Sequence, residues 1–162
     1  MKLTSQHIWA LLEEVSDPEI PVLTVVDLGI VREVNVSGGK PIVKITPTYS
    51  GCPAMNEIEQ NIVKKLVEEG IEEVTVQTVL SPPWTTDWMT EKGKEKLRAY
   101  GIAPPEGSSA DKSVLFGKPK QVQCPHCGSR NTEMVSQFGS TPCKSLYSCM
   151  DCKEPFDYFK CL

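Results

Sequence analysis

Apolar residues recur at helical spacing near the start of the chain, at Ile8, Leu11, Leu12 and Val15. This predicts an amphipathic helix over residues 5–15, capped by Thr4 or Ser5. Pro18 and Pro21 in "SDPEIP" force extended backbone and end it. "IVREVNV" and "PIVKIT" then switch to strand character on either side of "SGGK", a glycine turn suited to a hairpin. Over residues 53–69, Met55, Ile58, Ile62, Val63, Leu66 and Val67 share one helical face, with Gly70 as the left-handed stop. "EEVTVQTVL" reads as a third strand, "PPW" breaks the chain, and "TTDWMTEKGKEKLRAY" reads as a more weakly patterned helix. The order α-β-β-α-β-α predicts a small two-layer α+β domain over residues 1–102.

Residues 103–119 have no sustained period and are rich in proline, glycine and serine, so a linker is expected there. Beyond it, residues 120–162 hold six of the seven cysteines. "CPHC" and "CMDC" form two C-x-x-C pairs with 21 residues between them. Such a gap lets both thiolates of one tight turn reach a single ion while backbone N–H groups point at the sulfurs. Cys124, Cys127, Cys149 and Cys152 are the expected ligands of a structural zinc. "TEMVSQFG" and "EPFDYFK" would be strands of a carboxy-terminal β zinc ribbon. Gly128 sits where the first knuckle needs a positive φ; Lys153 holds the equivalent place in the second and suits it less. A rubredoxin-like iron site is the competing reading, since geometry alone does not separate the two metals. Cys143 and Cys161 are left as small buried residues or extra thiols, and His126 is expected to be exposed rather than coordinating.

Charge narrows the partners. Residues 1–111 carry 10 Lys/Arg against 17 Asp/Glu, and residues 112–162 carry 7 against 4. Neither part offers the dense basic face that a phosphate backbone requires, so nucleic acid is not an expected partner. No apolar run approaches the roughly 18 residues of a membrane span, and no secretory leader is expected. A cytoplasmic setting follows, in which cysteines serve as thiols or metal ligands.

Cys52 stands apart, in "PTYSGCPAMNEIEQ". Pro53 suits the first position of a helix, which would put Cys52 at or beside the N-cap, where unpaired N–H groups and the helix dipole favour an anion. Gly51 would let a partner approach. The alternative is a buried packing residue. A Cys–His nucleophile lacks support, because His7 is the only histidine in this part and lies on the first helix. Asp17, Glu19 and Asp27 are acidic residues on turns, where carboxylates ordinarily cap or are solvated. Trp84 and Trp88 are expected in the core or at an interface.

"DPEIP", "DLGIV", "TPTYSGCPAM" and "PPWTTDWMTEKGKEKLRAYGIAPP" together resemble the metal-sulfur cluster assembly family. Joined to a ribbon such as "CPHCGS…CMDCKEPFDYFKC", the combination resembles the accessory subunits of phenylacetyl-CoA epoxidases, multicomponent oxygenases of aerobic phenylacetate degradation. The resemblance implies that Cys52 is the family's functional cysteine, and that Asp17, Glu19 and Asp27 belong to its recurring motifs as candidates for metal or cluster delivery. It implies a non-catalytic maturation factor, handling iron or an iron–sulfur cluster transiently. The implied partners are epoxidase subunits or their reductase, together with iron–sulfur assembly proteins. A stoichiometric structural subunit with no delivery role is the alternative. The chain has neither paired Glu-x-x-His helices nor a flavin fingerprint.

Overall fold

The computed structural model of the chain describes residues 2–49, 51–106 and 121–159. They fall into two compact units. The first comprises the described residues up to Trp84 together with Trp88–Gly93; the second comprises Thr85–Asp87 and the described residues from Lys94 onward. The fold is mixed α and β, as expected.

In the first unit, helix α1 (Ser5–Leu12) starts where the Thr4 hydroxyl accepts the His7 N–H at 3.2 Å, and it buries Ile8, Leu11 and Leu12. Strands β1 (Val31–Ser37) and β2 (Lys40–Ile45) form an antiparallel hairpin. Ser37 pairs with Lys40, so Gly38 and Gly39 make a two-residue turn, with φ of 58° and 79°. That geometry needs positive φ at both central residues, which glycine adopts without strain. Helix α2 (Met55–Glu68) then carries the chain to β3 (Thr75–Thr78), which runs parallel to β2 and so requires such a crossover. The sheet order is β1-β2-β3. Its inner face contributes Val34, Val43 and Ile45 to a core shared with Ile8, Leu12, Ile58, Ile62 and Leu66. The outer face is polar: Lys44 pairs with Glu33 at 2.7 Å, and Asn35 donates to the same carboxylate. These contacts, led by the Lys44 hydrogen bond, hold the Glu33 carboxyl below its ordinary range.

Helix α2 ends in a double turn, with Gly70 N–H donating to Val67 carbonyl and Ile71 N–H to Leu66 carbonyl. Only Ile58, Ile62 and Leu66 of its expected apolar face are buried. Met55 and Val63 are half-buried, and Val67 is exposed. The i, i+4, i+8 row alone is fully buried, since a 3.6-residue period carries Val67 round toward solvent.

The segment between α1 and β1 is locked by the region around "PPWTTDWM". The Trp84 indole N–H donates to Leu28 carbonyl at 2.8 Å, and the Arg32 guanidinium lies 3.5 Å from the centre of the Trp88 ring. Gly29 has φ +74°, and a Cβ there would stand 2.3 Å from the Trp88 carbonyl oxygen. Gly29→Ala therefore combines a left-handed penalty with a backbone clash. It should lower unfolding free energy by roughly 2–5 kcal/mol in a urea titration followed by tryptophan fluorescence. A midpoint within error of the parent would show that the turn yields.

The helix expected from "TTDWMTEKGKEKLRAY" is divided. A 3₁₀ turn, Thr86–Trp88, precedes helix α3 (Glu91–Tyr100). The Thr90 hydroxyl accepts the Gly93 N–H at 2.9 Å and restarts the helix as a cap. The boundary between the two units falls inside α3.

The second unit holds a four-stranded sheet ordered β4-β7-β6-β5. Strand β4 (Ile102–Ala103) runs parallel to β7 (Pro155–Phe159); β6 (Lys144–Cys149) is antiparallel to β7 and to β5 (Thr132–Ser136). Its core is Ala103, Val122, Cys124, Tyr147, Cys149 and Phe156, with the Tyr147 and Phe156 rings stacked at 5.8 Å. Ile102 and Ala103, placed by the sequence at the junction of first domain and linker, thus belong to the ribbon's sheet. Residues 107–119 of that expected linker lie outside the described residues. Among the described residues, no helix is long and apolar enough to cross a membrane.

Candidate metal centre and the Cys52 turn

Each C-x-x-C pair lies on a tight turn that aims N–H groups at sulfur. In the first, Gly128 N–H donates to Cys124 carbonyl at 2.9 Å, Cys124 N–H to Ser129 carbonyl at 2.8 Å, and His126 N–H points to the Cys124 sulfur at 3.4 Å. The second repeats the pattern, with Lys153 N–H donating to Cys149 carbonyl and Cys149 N–H to Glu154 carbonyl. Gly128 and Lys153 occupy equivalent left-handed positions, φ 79° and 67°. Lys153 is the sole non-glycine with positive φ among the described residues.

The four Sγ atoms lie within 4.8 Å of one another, with 3.8 Å between Cys124 and Cys152 and 3.5 Å between Cys127 and Cys149. A tetrahedron with metal–sulfur bonds of about 2.3 Å has edges of about 3.8 Å, so the cluster has the size of a four-thiolate zinc site. Cys124 and Cys149 are buried in the core, Cys152 is half-buried and Cys127 is exposed. The protonated cluster divides its charge unevenly. The Cys152 N–H, with help from the Asp151 N–H, lowers the Cys149 thiol to about 7. The Glu154 N–H favours the Cys152 thiolate, yet burial and the neighbouring thiols prevail and raise that thiol to about 12. Four anions at this spacing require a cation. The residues therefore fit a tetrahedral metal such as zinc.

Sequence spacing gave no hint of the polar contacts that join the two knuckles. The Asp151 carboxylate accepts from the Ser129 hydroxyl and from Asn131 Nδ2, and these bonds hold it below the usual carboxylate range. The available cue was polar residues inside and just after the cysteine pairs. His126 is exposed. Cys143 is buried, with its sulfur 3.0 Å from the Thr141 hydroxyl. Cys161 lies outside the described residues.

Cys52 is half-buried in the turn between β2 and α2. It does not cap the helix: the N-cap is Ala54, already in helical conformation, and Cys52 lies two residues earlier. Its N–H donates to Tyr49 carbonyl, and its carbonyl accepts the Met55 N–H at 3.3 Å, so a tight turn occupies the place expected for the first helical residues. Gly51 has φ +80°, and a Cβ there would meet nothing within 4 Å.

Asp17 and Asp27 are both buried. Asp17 Oδ1 accepts the N–H groups of Glu19 and Ile20 at 2.9 and 2.8 Å. Asp27 Oδ2 accepts the Thr24 N–H, and Thr24 Oγ1 accepts the Asp27 N–H in return. Glu19 is half-buried. Among the described residues, the four ribbon cysteines are the group in which three or more Cys, His, Asp or Glu ligand atoms converge; Cys52, Asp17, Glu19 and Asp27 are not gathered in this way.

Residues 5–80 match the iron-sulfur cluster assembly protein family, and residues 108–160 match the PaaD zinc beta ribbon domain. The class is thus an assembly-type α+β domain followed by a cysteine ribbon. A protein of Escherichia coli (strain K12), provisionally named as the D component of 1,2-phenylacetyl-CoA epoxidase, is 50% identical over 156 residues, covering 96% of this chain and 92% of that one. The chain belongs to the family of that epoxidase component. The Fe-S protein maturation auxiliary factor SufT of Staphylococcus aureus (strain USA300) is 39% identical over 85 residues, 51% of this chain and 96% of that one. A solved domain of unknown function, DUF59, from Bacillus anthracis superposes with a TM-score of 0.54 at 31% identity, covering 57% of this chain and 90% of that one.

Proposed function

We propose that the chain is a non-catalytic maturation factor for a phenylacetyl-CoA epoxidase, and that Cys52 assists delivery of iron or an iron–sulfur cluster to one of its components. The observation that supports this most is the family combination: near-full-length similarity to an epoxidase component, built on a domain shared with Fe-S maturation factors. Cys52 suits transient service. A soft thiolate binds iron well, but a cluster takes about four such ligands, so one cysteine must share its cargo with thiolates of the donor or client. The open backbone at Gly51 leaves room for that encounter. Asp17, Glu19 and Asp27 enter this reading through the turns they shape. The ribbon, holding zinc through Cys124, Cys127, Cys149 and Cys152, docks the factor to epoxidase components.

The test is Cys52→Ser in a host whose own copy is deleted, because serine keeps the size but is a poor soft-metal ligand. The purified variant should melt like the parent, while phenylacetyl-CoA epoxidation in cells falls to background and a purified epoxidase component lacks iron and acid-labile sulfide. Full activity in that strain would defeat the delivery reading. Stoichiometric copurification with the epoxidase, independent of Cys52, would then mark the chain as a structural subunit.

A further inference from the structure

We propose that Asp151 is a positioning residue for the metal centre: from the second knuckle, its carboxylate fixes the place of the first. This rests on the reading that the four cysteines hold a metal. Each knuckle is shaped internally by its own N–H bonds, but the ion needs the two at the correct separation. Between Cys127 and Cys149 the chain runs through 21 residues, so this separation depends on contacts across the gap. Strand pairing of Thr132 with Cys149 supplies one, inside the sheet. The other is at the surface. Ser129 Oγ donates to Asp151 Oδ2, and Asn131 Nδ2 donates to Oδ1 at 3.0 Å. Ser129 Oγ also accepts the Asn131 N–H at 3.0 Å, and the Met150 N–H donates to Asn131 carbonyl at 2.8 Å. Ser129 carbonyl in turn receives the Cys124 N–H. A continuous run of hydrogen bonds thus leads from the backbone of one ligand, Cys124, through the Asp151 side chain to the turn that carries Cys149 and Cys152.

Exposed hydrogen bonds add little to overall stability, but groups that orient metal ligands have a larger effect on affinity, because a small displacement of a thiolate is felt directly at the ion. The experiment uses the full chain loaded with zinc and challenged with excess chromogenic chelator well below its thermal midpoint. Asp151→Ala should release zinc about tenfold faster than the parent, with little change in midpoint. Asp151→Asn, which keeps one acceptor oxygen, should lie between them. Ser129→Ala should also speed release, and the double variant should be no faster than Asp151→Ala alone, because both remove one bridge. With cobalt(II) in place of zinc, the ligand-field bands should shift in Asp151→Ala. Equal release rates for parent and Asp151→Ala, or additive effects of the two alanines, would overturn the proposal. Should Asp151→Ala fail to fold, a parental rate in Asp151→Asn and Ser129→Ala would overturn it equally. A parent that takes up no metal would instead overturn the underlying reading of the cysteines.

Discussion

Cys149→Ser should abolish metal binding and leave the second unit without a fixed fold, while the first unit keeps its own. Cys149 is fully buried among Val122, Tyr147 and Phe156, so its sulfur is both a ligand and part of the small core. A core of this size cannot offset chain entropy unaided, whereas thiolate ligation of zinc contributes about 10–16 kcal/mol in small zinc-binding peptides. Metal analysis should return one zinc per chain for the parent and none for the variant. The distribution of aromatics separates the units in one experiment. Trp9, Trp84 and Trp88 all belong to the first unit, Tyr147 and Tyr158 to the second. Tryptophan emission should stay native while the near-ultraviolet contribution of Tyr147 and Tyr158 and the slow amide exchange of the ribbon strands disappear, leaving the contribution of Tyr49 in the first unit. A stoichiometric red iron centre in the parent would replace zinc with iron. A folded, metal-free ribbon in Cys149→Ser would remove the metal from the folding argument.

A chain cut within residues 107–120 should remain one particle. The sequence suggests two domains joined by a linker at 103–119, and cutting a linker would release the ribbon. In the structure, β4 lies before that span yet is hydrogen-bonded to β7, and Ala103 lies in the same core as Val122 and Phe156. Glu106 adds a clasp: its N–H donates to the Tyr158 hydroxyl, and its carboxylate accepts the Gln123 N–H and an Arg130 guanidinium N–H, both at 3.2 Å. We therefore place the start of the ribbon's sheet ahead of residues 107–120. With a protease site inserted after Ala110 and cleaved, the two fragments should co-elute on a sizing column and part only in denaturant. Combining the cut with Cys149→Ser should separate them without denaturant. Separation of the singly cut protein in native buffer would restore the linker.

Legibility followed the match between residue type and burial. The first helix, the Gly38–Gly39 hairpin, α2 and its Gly70 stop follow from apolar periodicity and glycine chemistry, and so does the ribbon from cysteine spacing. Strand β6 was missed because two of its buried positions are Lys144 and Ser145. Their polar ends are satisfied by Ser140 and by Gln137 carbonyl, so both positions are buried although neither is hydrophobic. Strand β4 is two residues long and is followed by two prolines, too short for any period to show. The Cys52 turn was displaced by two residues because proline suits the turn before a helix as readily as its first position. Asp27 and Gly29 stand out as a motif in the sequence, but their partners, Thr90 and Trp88, lie some 60 positions away and become visible only in the fold.

The uneven burial of the four cysteines separates strength from permanence. Cys124, Cys149 and Cys152 are buried or half-buried, but Cys127 is exposed. With a metal held by the four thiolates, an incoming thiol or chelator would meet the Cys127 corner first, and exchange would begin there without unfolding of the ribbon. Affinity would then be a property of all four thiolates, while the route of exchange would start at the one nearest solvent.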